Sequence, residues 1–334
     1  MTTDTVNSRL NFSNVLFTVL KYLRKIPPIY PIFFAVFITL GLISDSYQTA
    51  NGIMSYLRRV SPLAILAIGQ IMVLASGGFD LSIGSTVTFV VLGSTLLLEN
   101  DPTKAASSIF IMLGLGVLIG LMNGLIVSYL KVPSFITTLG MMLLVNGAAL
   151  YWIGGAPRGY LTDNWRFFGR NYIENVPLVG RFPIALIVLL VIACLTFYAF
   201  HRSNFGKQVL AIGDNVNAAK FSGAKVKTVR ILTYIFSSVL AVIAGILIGG
   251  TGGVNTTTGD GLEMQSIAAC VLGGASLSGG KGSIPNAIFG AFTMEAIFNL
   301  LNLLGLPKPY RDAVQGIIII AAVAYVVFRT RKKR

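Results

Sequence analysis

Residues 77–84 read GGFDLSIG, and residues 273–280 read GGASLSGG. The two octets carry the same residue at five of eight positions, at an offset of 196 residues. Both lie between long apolar stretches, and the first contains a carboxylate, Asp80. Glycine and serine in apolar segments permit close helix approach or a local break in a helix. The octets therefore predict two breaks and an internal pseudo-repeat, although chance recurrence of small residues would give the same pattern.

The composition places the chain in a lipid bilayer. Of its 334 residues, 54% are hydrophobic and 11% are charged, with a mean hydropathy of +0.76. A soluble domain has about 25% charged residues. Cys194 and Cys270 both lie in apolar stretches, where a cysteine usually packs as a small apolar side chain. We therefore predict an all-α fold, a polytopic transmembrane helix bundle with broken or re-entrant helices.

Ten stretches have the length and hydropathy expected of membrane-spanning helices. They are 28–45, 60–76, 83–98, 109–130, 134–153, 182–201, 231–250, 263–279, 284–304 and 312–328. The stretches 60–76 and 263–279 are short or rich in glycine. If all ten cross the bilayer, the repeats are parallel, whereas a re-entrant segment at 263–279 would make them inverted.

Lysine and arginine predict the topology. The net charge is +14, and the basic residues flank apolar stretches, which indicates membrane orientation rather than nucleic-acid binding. We predict a cytoplasmic tail over 1–26, a transmembrane domain over 27–328 with a cytoplasmic loop over 202–230, and a basic cytoplasmic tail over 329–334. Both termini are therefore expected on the cytoplasmic side.

Two acidic residues within the apolar stretches have alternative interpretations. A carboxylate at membrane depth is costly and tends to face a cavity or a partner. The sequence DLSIGS (80–85) also looks like a helix start, in which Asp80 or Ser82 would accept hydrogen bonds from first-turn N–H groups. Glu295 is either a functional group or one partner of a structural hydrogen bond between helices.

The cytoplasmic loop contains a predicted short helix. Asn215 is of a type that caps helix N-termini, and Gly223 is of a type that follows helix C-termini. Together they predict a helix over VNAAKFSG (216–223). The alternative is an ordinary solvated loop whose charges only fix the topology.

Four stretches of the chain together resemble one family. They read SGGFDLSIGS (76–85), KVPSFITTLGM (131–141), SNFGKQVLAIGDNVNAAKFSG (203–223) and IAACVLGGASLSGGKGS (267–283). In this order they resemble the membrane permease subunits of ribose-type monosaccharide importers, which are ATP-binding-cassette transporters. One departure is Asp214, where the family commonly has a second glycine, and this could change the contact with the ATPase.

The resemblance implies a permease subunit, not an enzyme, in the bacterial cytoplasmic (inner) membrane. It would move a monosaccharide or similar small polyol inward. Its partners would be a cytoplasmic ATP-binding-cassette ATPase, an extracytoplasmic sugar-binding protein and a second permease, identical or related. The chain has no phosphate-binding loop of the form GxxxxGK[ST]. ATP is therefore expected on the partner subunit, with no cofactor on this chain.

Site residues follow from the same resemblance. The loop helix would couple the permease to the ATPase through Asn215, Ala218, Ala219, Phe221 and Gly223. A path for a neutral, polyhydroxylated solute would use polar and aromatic side chains at Asp80, Ser82, Ser85, Asn123, Ser134, Phe135, Thr137 and Glu295. The outward loop 154–181, with Trp165 and Arg166, is expected to contact the binding protein. We predict neither catalytic residues nor metal ligands.

Two other classes of function compete with this one. An ion-coupled secondary transporter would use Asp80 and Glu295 to carry protons or sodium. An intramembrane enzyme is disfavoured, because the chain has neither an HExxH sequence nor an apparent catalytic pair, and its single histidine, His201, ends an apolar stretch.

Overall fold

The computed structural model describes residues 26–155 and 159–331. Thirteen α-helices and one two-stranded hairpin occur in these ranges. The first six helices are α1 Ile29–Ile43, α2 Ala50–Ala75, α3 Ser82–Leu98, α4 Ala105–Leu125 (extended by a π-turn, Ile126–Leu130), α5 Ser134–Ile153 and α6 Asp163–Arg170. Strands β1 Tyr172–Val176 and β2 Gly180–Pro183 follow. The remaining helices are α7 Ile184–His201, α8 Asn204–Asp214, α9 Val216–Phe221, α10 Val226–Gly252, α11 Leu262–Leu272, α12 Ile284–Leu303 and α13 Lys308–Arg331.

The helical membrane fold predicted from composition is present. Among the described residues, six helices are long and apolar enough to cross a membrane: α2, α4, α5, α7, α10 and α12. The helices α1, α3 and α11 are apolar but shorter. Each of the ten predicted stretches overlaps a helix, but ten crossings stay a prediction. The predicted tails over 1–26 and 329–334 lie largely outside the described residues.

Two predicted spans have different bounds in the structure. The span predicted at 60–76 starts at Ala50, so Pro62 lies inside α2 rather than near its start. The span predicted at 263–279 is wrong in its second half, because α11 ends at Leu272. At 1.5 Å per residue the 11 residues of α11 cover about 16 Å, roughly half of the hydrocarbon thickness.

The helices α2 and α10 form the centre of the bundle. Side chains of α2 from Val60 to Ala75 are buried without interruption. α10 packs on α2 at Gly69, where an added Cβ would lie 3.0 Å from Ser237 Cα. α4 packs on α10 through three glycines at intervals of four residues, Gly116, Gly120 and Gly124. A Cβ on Gly120 would lie 2.6 Å from Ile235 Cα of α10. Close backbone approach of this kind drives helix association in membranes.

The predicted outward loop folds into α6 and the antiparallel hairpin β1–β2, a small departure from an all-α fold. Trp165 of α6 is fully buried. Gly249 of α10 makes room for it, since a Cβ there would lie 2.9 Å from the indole ring. The loop is therefore anchored onto the bundle by its tryptophan.

Candidate functional site

The first octet breaks the chain between α2 and α3, and Asp80 organises the break. Its Oδ1 atom accepts hydrogen bonds from Ser82 N at 3.0 Å and from Ser82 Oγ at 2.6 Å. Its Oδ2 atom accepts from Ser237 Oγ of α10 at 2.7 Å. Asp80 is completely buried. The carboxylate thus holds the first turn of α3 and ties it to α10.

Side chains from three helices fix the rest of this break. Asn123 of α4 donates through Nδ2 to Ser82 Oγ at 2.9 Å. On α5, Ser134 Oγ accepts from Phe79 N at 3.1 Å. The carbonyl of Phe79 accepts from Tyr234 of α10 at 3.3 Å. Buried backbone groups outside a helix need such partners, so the break is held by its surroundings.

The second octet forms a similar local turn. Ser276 stands where Asp80 stands in the first octet, and its Oγ accepts from Ser278 N at 3.2 Å. In the first octet the Asp80 side chain likewise accepts a hydrogen bond from the backbone N–H two residues later, that of Ser82. The second break is longer, because α12 begins only at Ile284. The octets therefore share a turn, while an internal pseudo-repeat of the whole fold stays a prediction.

The two octets meet in space at the C-terminal end of α8. Gly280 N donates to Ala75 O at 3.0 Å. A Cβ on Gly279 would lie 2.9 Å from Gly77 Cα and 2.7 Å from Gly213 O. A Cβ on Gly213 would overlap both Ala75 O and Gly280 N. These glycines let three backbone segments pass within van der Waals contact, and we call the contact the glycine junction.

The short loop helix α9 begins directly after this junction. Asn215 Oδ1 accepts from Asn217 N and Ala218 N, both at 3.0 Å, which is the predicted N-cap. Gly223 has a left-handed φ of +85°, as expected just after a helix. Ala219 is buried, whereas Phe221 is 91% exposed. α9 thus packs on the molecule by one face and presents an aromatic side chain on another.

The structure brings together most of the residues predicted for a solute path. Asp80, Ser82 and Asn123 form one buried hydrogen-bonded chain, and Ser85 Oγ donates to Ser82 O at 2.8 Å. Ser134 joins through Phe79. Two others point elsewhere: Thr137 Oγ1 donates to Pro133 O at 3.2 Å, and Phe135 is 51% exposed.

Glu295 lies in α12 and has a helical partner. Asn299 donates through Nδ2 to Glu295 Oε1 at 3.0 Å and to Glu295 O at 2.8 Å. The hydrogen bonds of Asp80 go to Ser82 and Ser237. The two acids thus belong to separate groups of side chains.

Sequence reasoning missed the contribution of α10 to the site. Tyr234 and Ser237 are three residues apart, so they share one face of the helix. Two polar side chains at that spacing in an apolar stretch could have predicted that this face of α10 contacts other polar groups. Gly213 was also missed, because its role comes from a contact with segments far away in the sequence.

The apolar helices, with a buried polar break and the glycine junction between them, define a helical protein of the multi-pass membrane class. The chain belongs to the family described as branched-chain amino acid transport system / permease component, whose model matches residues 52–323. It is 33% identical to the ribose import permease protein RbsC of Escherichia coli (strain K12) over 97% of this chain and 98% of the relative. It is 32% identical to the autoinducer 2 import system permease protein LsrC of Salmonella typhi, over 87% of this chain and 82% of the relative.

No solved structure matches the chain significantly. The predicted resemblance to permease subunits of ribose-type importers is confirmed by the family and by these relatives.

Proposed function

We propose that this chain is the permease subunit of an ATP-binding-cassette importer in the bacterial inner membrane. It moves a monosaccharide or similar small polyol inward, fed by an extracytoplasmic binding protein. A separate cytoplasmic ATPase supplies the energy. The single observation that carries the proposal is α9, a capped helix with an exposed aromatic side chain placed directly after the glycine junction.

Docking of the ATPase on α9 is supported by the exposure of its side chains. Phe221 is 91% exposed and Val216 is 38% exposed, while Ala219 anchors the helix from beneath. Aromatic side chains of this kind are common anchors at protein interfaces. Phe221 is therefore the side chain we assign to a groove on the ATPase, with Ala218 beside it.

Movement of α9 would reach both octets through the glycine junction. α8 ends at Asp214, and Gly213 touches Ala75 before the first octet and Gly280 at the end of the second. A packed backbone contact without side chains transmits displacement because it has no flexible group to absorb it. Coupling further requires that the ATPase bind two permease conformations with different affinity.

The substrate class is supported by the chemistry of the site and by the relatives. The buried chain around Asp80 offers hydroxyl and amide groups, and Asn123 Oδ1 has no hydrogen-bond partner within the described part of the chain. Such groups suit a neutral polyol. Two of the relatives are named for import of ribose and autoinducer 2, so both compounds are the first to be tested.

The α6–hairpin loop is our proposed contact for the binding protein. Trp165 is buried and therefore unsuitable as a contact, contrary to the expectation that placed it on the surface. Phe167 and Phe168 are 42% and 40% exposed, with their rings 5.5 Å apart. Leu178, in the turn between β1 and β2, is fully exposed. These three side chains are the apolar contacts that the loop offers.

Site-directed cross-linking tests the docking of α9. Cys194 is exposed, so it is first replaced by serine, and Phe221 is then replaced by cysteine. We expect a membrane-permeant thiol cross-linker to capture an ATP-binding-cassette ATPase from native membranes through Phe221→Cys. The matched control is Tyr198→Cys, an exposed aromatic position on α7, which should capture none. Equal capture at both positions, or none at Phe221→Cys, would refute the docking site.

A further inference from the structure

A basic cavity lies beside the first break, and Ser134 and Tyr234, which hold Phe79 in that break, form part of its wall. It has a volume of about 880 Å³. Its walls are the Gly77–Gly78 turn, the end of α4 with its π-turn, residues 131–134, and the chain from α9 to the start of α10. Five of its lining side chains are cationic: Lys131, Lys220, Lys225, Lys227 and Arg230.

Among the described residues, no carboxylate in the lining of this cavity neutralises its positive charge. The lining contains no aspartate or glutamate. Within the described residues, the ion pairs are Lys104 with Glu99, Arg170 with Asp163 and Arg181 with Glu174, all at other places. Several cations that share a cavity without a carboxylate repel one another and attract an anion. The cavity therefore favours an occupant that carries negative charge.

The four lysines of the lining are exposed and Arg230 is half-buried, and two features of the wall favour anion binding beside them. Ser128 lines the cavity, is 8% exposed, and its Oγ atom has no hydrogen-bond partner among the described residues. Lys227 is positioned by Tyr129, whose ring centroid lies 4.2 Å from its Nζ atom. Cations and a hydroxyl without a partner in one cavity wall suit the oxygens of a phosphate group.

The rim of the cavity is apolar on one side. Leu130 is 71% exposed and Phe135 is 51% exposed, and they flank the cavity-lining residues 131–134. Both side chains lie at the ends of helices that are long and apolar enough to cross a membrane, so they are placed to contact hydrocarbon. We propose that the cavity binds the phosphate of an anionic phospholipid, whose acyl chains lie along Leu130 and Phe135. Basic pockets between membrane helices bind such head groups.

The experiment uses the full chain, purified in a neutral detergent and stripped of lipid. Binding of phosphatidylglycerol and of phosphatidylcholine with the same acyl chains is measured by native mass spectrometry and by the thermal unfolding midpoint. The cavity variant Lys131→Gln/Lys227→Gln/Arg230→Gln should bind phosphatidylglycerol about 100-fold more weakly, at about fivefold per cation. The matched control Arg202→Gln/Lys207→Gln/Lys281→Gln removes the same charge outside the cavity and should bind nearly as the wild type does.

A single substitution separates lipid binding from folding. Because Ser128 Oγ has no partner among the described residues, Ser128→Ala should unfold at or above the wild-type temperature without lipid and bind phosphatidylglycerol about fivefold more weakly. Equal losses in the cavity and control variants would refute the site. Stabilisation by millimolar inorganic phosphate alone would identify a soluble anion instead. A cavity variant that keeps the lipid but no longer co-purifies with the ATPase would assign the cavity to that partner.

Discussion

Asp80 is the residue on which the first break depends. Three donors, Ser82 N, Ser82 Oγ and Ser237 Oγ, share one buried carboxylate. Hydrogen bonds to a charged group contribute about 1.5–3 kcal/mol each, and a buried donor left without a partner costs about as much again. Asp80→Asn is therefore expected to lower the unfolding midpoint of the purified protein by several degrees, since one acceptor oxygen becomes an NH₂ group.

The control for this prediction is a surface turn of the same geometry. Asp101 Oδ1 accepts from Thr103 N at 2.8 Å and from Thr103 Oγ1 at 2.7 Å, and these bonds lower the pKa of its carboxyl group. Because Asp101 is exposed to solvent, Asp101→Asn should change the midpoint by no more than about 2 °C. Solute preference should stay unchanged in Asp80→Asn. An altered preference among sugars would mean that the carboxylate contacts the solute, contrary to the role assigned to it here.

Gly213 is the residue on which the glycine junction depends. Any side chain there would overlap Ala75 O and Gly280 N. Gly213→Ala is therefore expected to separate α8 from the two octets and to lower stability by about 1–3 kcal/mol, the usual cost of overpacking. Solute transported per ATP hydrolysed should fall in reconstituted vesicles. Gly140→Ala is the control, because a Cβ there meets no atom within 4 Å. If both variants transport with wild-type coupling, the junction does not transmit movement.

At the scale of the element, α9 is a helix too short to be stable by itself. Its six residues depend on the Asn215 cap and on the buried face of Ala219. Asn215→Ala removes both cap bonds, at a cost of about 1 kcal/mol. In Asn215→Ala we expect about fivefold faster hydrogen exchange in residues 216–221 and weaker association with the ATPase. Asn215→Asp should keep the wild-type exchange rate and the wild-type association, because aspartate also caps helices. Unchanged exchange in Asn215→Ala would show that tertiary contacts alone hold the helix.

Elements were predictable where the signal is local. Apolar length placed helices at all ten expected stretches, and the types of residue at Asn215 and Gly223 predicted α9 with its cap. The end of α11 was signalled by the glycines and serines of the second octet (GGASLSGG, 273–280), but the span predicted at 263–279 ran through that octet. The helix ends at Leu272 because the chain turns through Gly274, with a φ of +86°, and runs irregularly to Ile284.

At the scale of the whole molecule, the contacts that matter most join distant segments. The octets lie 196 residues apart in the sequence, yet Gly280 bonds to Ala75 next to the first octet. Pairing of this kind depends on how helices pack, which hydropathy does not encode. The same holds for Tyr234 and Ser237, whose partners Phe79 and Asp80 are fixed only when α10 packs against the first break.

The architecture also predicts which energy source drives transport. Asp80 is buried and accepts hydrogen bonds from Ser82 of α3 and Ser237 of α10, as expected for a structural carboxylate, whereas Phe221 of α9 is exposed. In vesicles that contain the permease, its ATPase and its binding protein, uptake should require ATP and persist when proton and sodium gradients are abolished. Phe221→Ala should reduce this uptake at least tenfold without lowering the unfolding midpoint, because the ring makes little contact with the rest of the chain. Accumulation by the permease alone, driven by an ion gradient and lost in Asp80→Asn, would instead establish the secondary-transporter alternative.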